Sequence, residues 1–162
     1  MPTVREIEKS LFELAPRSGA MEWDNVGLLV GDPEASVDRI LVALDVTEQI
    51  VDEAITRNAQ LIVAHHPLMN CAWLPVQTVR NDTPQGRMLI KMIRAGIAAI
   101  CMHTNLDVAD GGVNDALAGA LELLDPGPLA ENGIGRVGRL PAAMPLRRPR
   151  PTVRCIPAKS PP

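Results

Sequence analysis

Aromatic residues are scarce in this chain of 162 residues, and long apolar runs are missing. With two tryptophans, one phenylalanine and no tyrosine, the chain offers few side chains on which nucleic acid bases could stack. This composition argues against nucleic acid as a partner. No apolar run approaches the roughly 18–20 residues that cross a bilayer, and the N-terminus lacks the pattern of a signal peptide. The sequence therefore predicts a cytoplasmic protein with no membrane partner.

Cysteine is also rare, and its spacing excludes two classes of protein. Cys71, Cys101 and Cys155 form no CxxC pair and leave an odd number. They support neither a disulfide framework nor a zinc cluster built on thiolates, so we expect reduced thiols. Hydrophobic residues make up 46% of the chain and charged residues 22%, which is typical of one soluble globular domain.

Acidic residues are absent from the last segment of the chain, residues 141–162. This segment holds five basic residues and seven of the 15 prolines. A run so rich in proline can neither continue a helix nor form an inner strand. We therefore predict a folded domain over residues 1–140 and a disordered Pro/Arg-rich tail over residues 141–162. The tail is either an electrostatic arm for acidic surfaces or an inert end, such as a frameshift product, and its composition favours the inert end.

The apolar spacing of residues 1–140 predicts alternating helices and strands. Helices are predicted over residues 3–14, 47–59, 86–95 and 112–124, and strands over residues 26–30, 39–44, 61–64 and 97–102. Strands separated by helices imply an α/β fold with a mainly parallel sheet and helices on both faces. Ligands of such folds bind at the carboxyl ends of the strands.

The three histidines of the chain all follow predicted strands. His65 and His66 end one strand, His103 ends another, and Asp107 comes four residues later. A lone histidine at a strand end is more often a capped polar group than a ligand. Three histidines and a carboxylate at one edge instead favour a site for zinc, iron, manganese or nickel. Adjacent side chains on a strand point to opposite sides, so the histidine pair serves two metals unless the chain turns at Pro67.

Other polar signals in the sequence are weaker. Asp45 ends a strand in the same way as the histidines do. Gly111 and Gly112 precede a helix, where backbone NH groups could bind a phosphate, although such a pair most often forms only a turn. Asp24 and Asn25 precede a strand, and we interpret them as turn residues.

Six segments taken together resemble a known family. They are EWDNVGLLVGD (22–32), LDVTEQIVDEA (44–54), LIVAHHPL (61–68), GRMLIKMI (86–93), HTNLDVADGGVNDALA (103–118) and GIGRVGRL (133–140). The chain resembles the NGG-interacting-factor-three-like family, whose members are also called GTP cyclohydrolase 1 type 2 homologues. The order HHP, HTNLD and GGVND is specific to this resemblance.

The resemblance implies the N-terminal portion of a fold with a dinuclear metal centre, assembled by self-association into a hexameric ring. It implies His65, His66 and Asp107 as metal ligands and His103 as a ligand or a neighbour of the metals. The implied chemistry is metal-dependent hydrolysis or ring opening of a nucleotide or phosphoester.

A further histidine and a glutamate are implied for the family's second half, but here the family pattern ends near residue 140 and no histidine follows His103. We therefore expect at most one tightly held divalent cation, zinc before the other metals, and an impaired hydrolase. The alternative is a non-catalytic metal-binding or assembly module.

Overall fold

A four-stranded mixed sheet forms the centre of the computed structural model, which describes residues 1–69 and 78–143. Its strands are β1 (Gly27–Val30), β2 (Ile40–Ala43), β3 (Leu61–Ala64) and β4 (Ala98–Cys101). They lie in the order β1-β4-β3-β2. Strands β2, β3 and β4 are parallel, whereas β1 runs antiparallel to β4. The predicted α/β class with a mainly parallel sheet is confirmed.

Five α-helices precede, connect or follow these strands in the described part of the chain. They are α1 (Val4–Leu14), α2 (Glu48–Thr56), α3 (Pro84–Ala95), α4 (Thr104–Val108) and α5 (Val113–Ala120). The first three begin at threonine N-caps, where the side chains of Thr3, Thr47 and Thr83 each accept a hydrogen bond from a backbone NH. These caps satisfy NH groups that have no partner inside the helix, which is why the predicted starts of α1 and α2 agree with the structure.

The sheet separates two apolar clusters on its opposite faces, as predicted. Residues of β3 alternate between them, because successive side chains of a strand point to opposite faces. Leu61 belongs to the cluster that includes Val4 of α1. Ile62 belongs to the cluster that includes Val51 of α2 and Met92 of α3. The central strands are therefore covered by helices on both sides.

The segment after α4 differs from the prediction. The predicted helix over residues 112–124 was too long: α5 ends at Ala120, and Glu122 adopts a positive φ of 55°, a conformation that a helix does not tolerate. Two further strands follow, β5 (Leu124–Pro128) and β6 (Arg136–Arg139), which pair as an antiparallel hairpin. The Arg136 guanidinium donates to the Asp115 carboxylate of α5 and so ties the hairpin to that helix.

Several predictions concern residues outside the described part of the chain. The predicted tail lies there from residue 144 onward, as do Cys71 and Cys155. Within the described part, Cys101 is buried, and its Sγ atom donates to the His65 carbonyl at 2.9 Å. None of the helices in residues 1–69 and 78–143 is both long and apolar enough to cross a membrane.

Candidate metal centre

The three histidines meet at one edge of the sheet because the strands that precede them are parallel neighbours. His65 and His66 directly follow β3, and His103 follows β4 after one residue. Backbone pairing with the β2 segment continues past the end of β3, since the NH of His66 donates to the Leu44 carbonyl at 3.0 Å. The backbone therefore holds the histidine pair in place before any side chain contact is counted.

The imidazole rings of these histidines form a compact cluster. One ring nitrogen from each of them lies within 4.8 Å of the other two. Ring centroids are 5.0 Å apart for His65 and His66, and 5.0 Å apart for His65 and His103. The chain bends directly after Ala64, so the adjacent histidines do not point to opposite sides of a strand, and their rings lie in the same cluster.

Each histidine is held through its Nδ1 atom by an oxygen that can only accept. The partner of His65 is the Met102 carbonyl at 2.9 Å, that of His66 is an Asp45 carboxylate oxygen at 2.7 Å, and that of His103 is an Asp24 carboxylate oxygen at 2.9 Å. Since a carbonyl or carboxylate oxygen accepts the hydrogen bond, Nδ1 must carry the proton in every ring. A ring with its proton on Nδ1 has its lone pair on Nε2, and a metal ion can bind there.

Asp107 lies next to this cluster but outside the mutually close set of three. Its Oδ1 atom is 3.7 Å from Nε2 of His65. The NH of Asp107 donates to the His103 carbonyl at 3.0 Å, so α4 fixes the carboxylate one turn after the third histidine. The Asn114 side chain donates to the Asp107 carbonyl at 2.9 Å and anchors this turn to α5.

Asp24 contacts the cluster although the sequence suggested only a turn residue. Its side chain is fully buried, and its carboxylate accepts hydrogen bonds from His103 Nδ1, from the backbone NH groups of Thr104 and Asn25, and from the Thr104 hydroxyl. Burial alone would raise the pKa of this carboxyl group, but the hydrogen bonds from Thr104 and His103 outweigh burial and lower the pKa. Asp24 is therefore held as an anion. Two of its partners, His103 and Thr104, lie 79 and 80 residues away in sequence, so no local pattern could have indicated these two.

The two glycines before α5 lie in a turn, and both of their NH groups already donate within the protein. The Gly111 NH already donates to the Asp115 carboxylate at 2.8 Å. A Cβ atom at Gly112 would lie 2.0 Å from the Leu106 carbonyl oxygen. Glycine is therefore required at position 112, because this residue packs directly against the backbone of α4. Helix α4 carries Asp107.

This donor set fits a divalent cation in chemistry and in spacing. Imidazole nitrogens and a carboxylate are ligands that zinc and the neighbouring transition metals share. Two nitrogens bound to one tetrahedral zinc at about 2.0–2.1 Å lie about 3.4 Å apart, so small rotations of the rings bring the 4.8 Å set into range. Asp45, a further carboxylate near the cluster, accepts a hydrogen bond from His66.

Comparison with known proteins shows which family this chain resembles. The model of the family described as Duf34/NIF3 (NGG1p interacting factor 3) matches residues 2–154. A protein of Streptomyces coelicolor named GTP cyclohydrolase 1 type 2 homolog is 41% identical over 155 residues, which cover 91% of this chain and 53% of that protein. A Listeria innocua protein of the same name is 46% identical over 113 residues, which cover 70% of this chain and 30% of that protein.

A solved structure shows the same architecture. The Bacillus cereus protein related to NIF3 superimposes with a TM-score of 0.75 and 43% sequence identity, covering 80% of this chain and 35% of that chain. This chain thus spans about half or less of the length of the relatives it matches. The resemblance seen in the sequence motifs is confirmed, and the chain belongs to the Duf34/NIF3 (NGG1p interacting factor 3) family.

Proposed function

We propose that this chain is a metal-dependent hydrolase that binds one divalent cation through His65, His66 and His103, with Asp107 beside them. The observation that carries the proposal is the set of three clustered imidazoles, each with its Nδ1 atom held by an acceptor. Zinc, iron, manganese and nickel all accept such ligands. We expect zinc to bind more tightly than the other three metals.

In this proposal the histidines bind the cation, and Asp107 binds it as well or transfers a proton. Two rings, those of His65 and His103, are mostly buried and are held through Nδ1, so they would supply Nε2 to a cation after only small rotations. Asp107 is close enough to His65 to bind the same cation or to accept a proton from a nearby water. A bound divalent cation supplies Lewis acidity, which polarises a phosphoryl or carbonyl oxygen and makes water a stronger acid.

The substrate class we propose is a nucleotide or another phosphoester. Relatives that are 41% and 46% identical carry the name GTP cyclohydrolase 1 type 2 homolog, so guanine nucleotides come first in a substrate panel. The absence of stacking aromatics in quantity favours a small molecule over nucleic acid. We propose the cytoplasm as the location.

Self-association is part of the proposal, because β2, the outermost strand on one side of the sheet, leaves apolar side chains exposed. Ile40, Val42 and Leu44 of the β2 segment are 46%, 78% and 61% exposed. Apolar edges of this kind are typical of surfaces that pair with another chain. A non-catalytic assembly module that merely holds the cation is the alternative function.

Metal content and turnover together test the proposal. The full chain is dialysed, loaded separately with each of the four metals, and examined by native mass spectrometry and with a panel of nucleotides and phosphoesters. We expect one cation per chain and turnover that is lost in Asp107→Asn. Asp38→Asn is the matched control. Asp38 is an exposed aspartate just before the start of β2, so it lies at the ends of the strands opposite to the histidines.

The outcomes separate the alternatives. A retained cation without turnover of any substrate in the panel would favour the assembly module. A chain that binds none of the four metals would contradict the site itself.

A further inference from the structure

The carboxylate of Asp24 is the most completely engaged acidic group beside the candidate metal centre. Its Oδ1 atom accepts from His103 Nδ1 at 2.9 Å and from the Asn25 NH at 2.8 Å. Its Oδ2 atom accepts from the Thr104 NH at 3.0 Å and from the Thr104 hydroxyl. The side chain is fully buried, and the His103 side chain is only 12% exposed. Asp24 therefore cannot rotate without leaving buried donors without an acceptor.

We propose that Asp24 is a positioning residue: it holds the proton of His103 on Nδ1 and so directs the Nε2 lone pair into the metal centre. This inference rests on the proposed function only for the statement that the Nε2 lone pair binds a metal. The effect of Asp24 on the His103 tautomer is expected in the metal-free protein as well. Carboxylates that accept from a metal-ligating imidazole fix its orientation and tautomer in this way.

The local hydrogen bonds predict what an asparagine at this position does. Asparagine keeps one acceptor oxygen and replaces the other by an NH2 group that only donates. Thr104 is buried, whereas Asn25 is only partly buried, so the oxygen is better placed toward Thr104, which donates both its NH and its hydroxyl. The NH2 group then faces His103, whose Nδ1 must accept, and the ring proton moves to Nε2. An asparagine in such a position is known to keep the geometry and impose the wrong tautomer.

Histidine tautomers in the metal-free full chain give the first test. Long-range proton–nitrogen NMR at about pH 8, above the usual histidine pKa of about 6.5, distinguishes protonation at Nδ1 from protonation at Nε2. We expect Nδ1–H for His103 in the wild type and in the Asp38→Asn control. In Asp24→Asn we expect the Nε2–H form. A wild-type His103 protonated on Nε2 overturns the proposal without need of any variant.

Cation affinity gives the second test, measured by calorimetric titration of the metal-free proteins with zinc. We expect Asp24→Asn to bind zinc about 10–100-fold more weakly than the wild type, the range found for residues that orient a ligand, and Asp38→Asn to bind as the wild type does. An altered tautomer with unchanged zinc affinity would overturn the positioning role.

Failure of the proposed function is recognised separately. If the wild type binds no zinc but the His103 tautomer still changes in Asp24→Asn, the metal assignment fails and the control of the tautomer by Asp24 stands.

Discussion

The two sides of the histidine cluster use the same hydrogen bond in opposite surroundings. On one side, the Asp24 carboxylate holds His103 at 2.9 Å, and both side chains are buried or nearly so. On the other side, the Asp45 carboxylate holds His66 at 2.7 Å, but the side chains are 55% and 46% exposed. The comparison teaches that the distance between two atoms does not determine how firmly a ring is held.

Solvent explains the difference between the two sides. An exposed pair competes with water and contributes about 0–1 kcal/mol. A buried carboxylate cannot exchange its partners for water, so each donor it loses leaves an unsatisfied group that costs about 1–3 kcal/mol. The orientation of the His103 ring is therefore strongly restrained. The His66 ring lies on the exposed side and has an exposed partner, so it can change its orientation at a lower cost.

The largest effect that tests this comparison is on stability. Asp24→Ala leaves the buried Thr104 NH, the Thr104 hydroxyl and the His103 ring without their acceptor, and we expect it to lower the free energy of unfolding by about 2–4 kcal/mol. We expect Asp45→Ala to lower it by less than about 1 kcal/mol. Urea denaturation of the metal-free proteins measures both values. Equal losses in the two variants would show that burial does not distinguish the sides.

A smaller effect concerns the histidines as ligands. A ring that moves freely must be immobilised when it binds a cation, which costs about 0.5–1.5 kcal/mol per side chain. His103 is already fixed, so we expect His103→Ala to weaken zinc binding up to about tenfold more than His66→Ala does. Titration of the two metal-free variants, with their folding checked by circular dichroism, gives the ratio. A ratio of one or below would contradict the division into a fixed side and an open side.

The smallest effect is a dependence of stability on pH. The pKa of Asp24 in the folded protein lies below the ordinary value of 3.8, because the hydrogen bonds from Thr104 and His103 outweigh burial. A lowered folded-state pKa means that this carboxylate stabilises the fold fully above pH 3.8 and loses that contribution as the pH falls through the folded-state pKa. The difference in unfolding free energy between wild type and Asp24→Asn should therefore narrow below pH 3.8. Urea denaturation at a series of pH values tests this, and parallel curves would contradict it.

Much of the central sheet could be predicted from local sequence patterns. The predicted strand over residues 61–64 agrees with β3, because four consecutive apolar residues suit a strand that is buried on both faces. The antiparallel direction of β1 could not be predicted, since apolar spacing carries no information on strand direction. The β5–β6 hairpin was missed for a related reason: its strands contain Pro126, Gly127 and Gly138, which strand patterns disfavour.

The candidate site shows the same division. Its histidines could be located because residues that end neighbouring parallel strands share one edge of the sheet. The turn that brings His65 and His66 together was one of two alternatives, and the sequence could not choose between them. The short helix α4, which carries Asp107, was not predicted, because five residues are too few for a helical period to stand out.

The sequence by itself determined the family, the order of the sheet-forming and helix-forming segments, and the presence of all three histidines at strand ends. These are consequences of residue type and of spacing over short distances, which each segment carries independently. Only the tertiary structure decided which oxygen holds each imidazole. Asp24 and His103 are 79 residues apart, and they meet because the segment before β1 packs beside the end of β4. A hydrogen bond between such distant residues depends on how the whole chain folds, so it leaves no periodic signal in either segment.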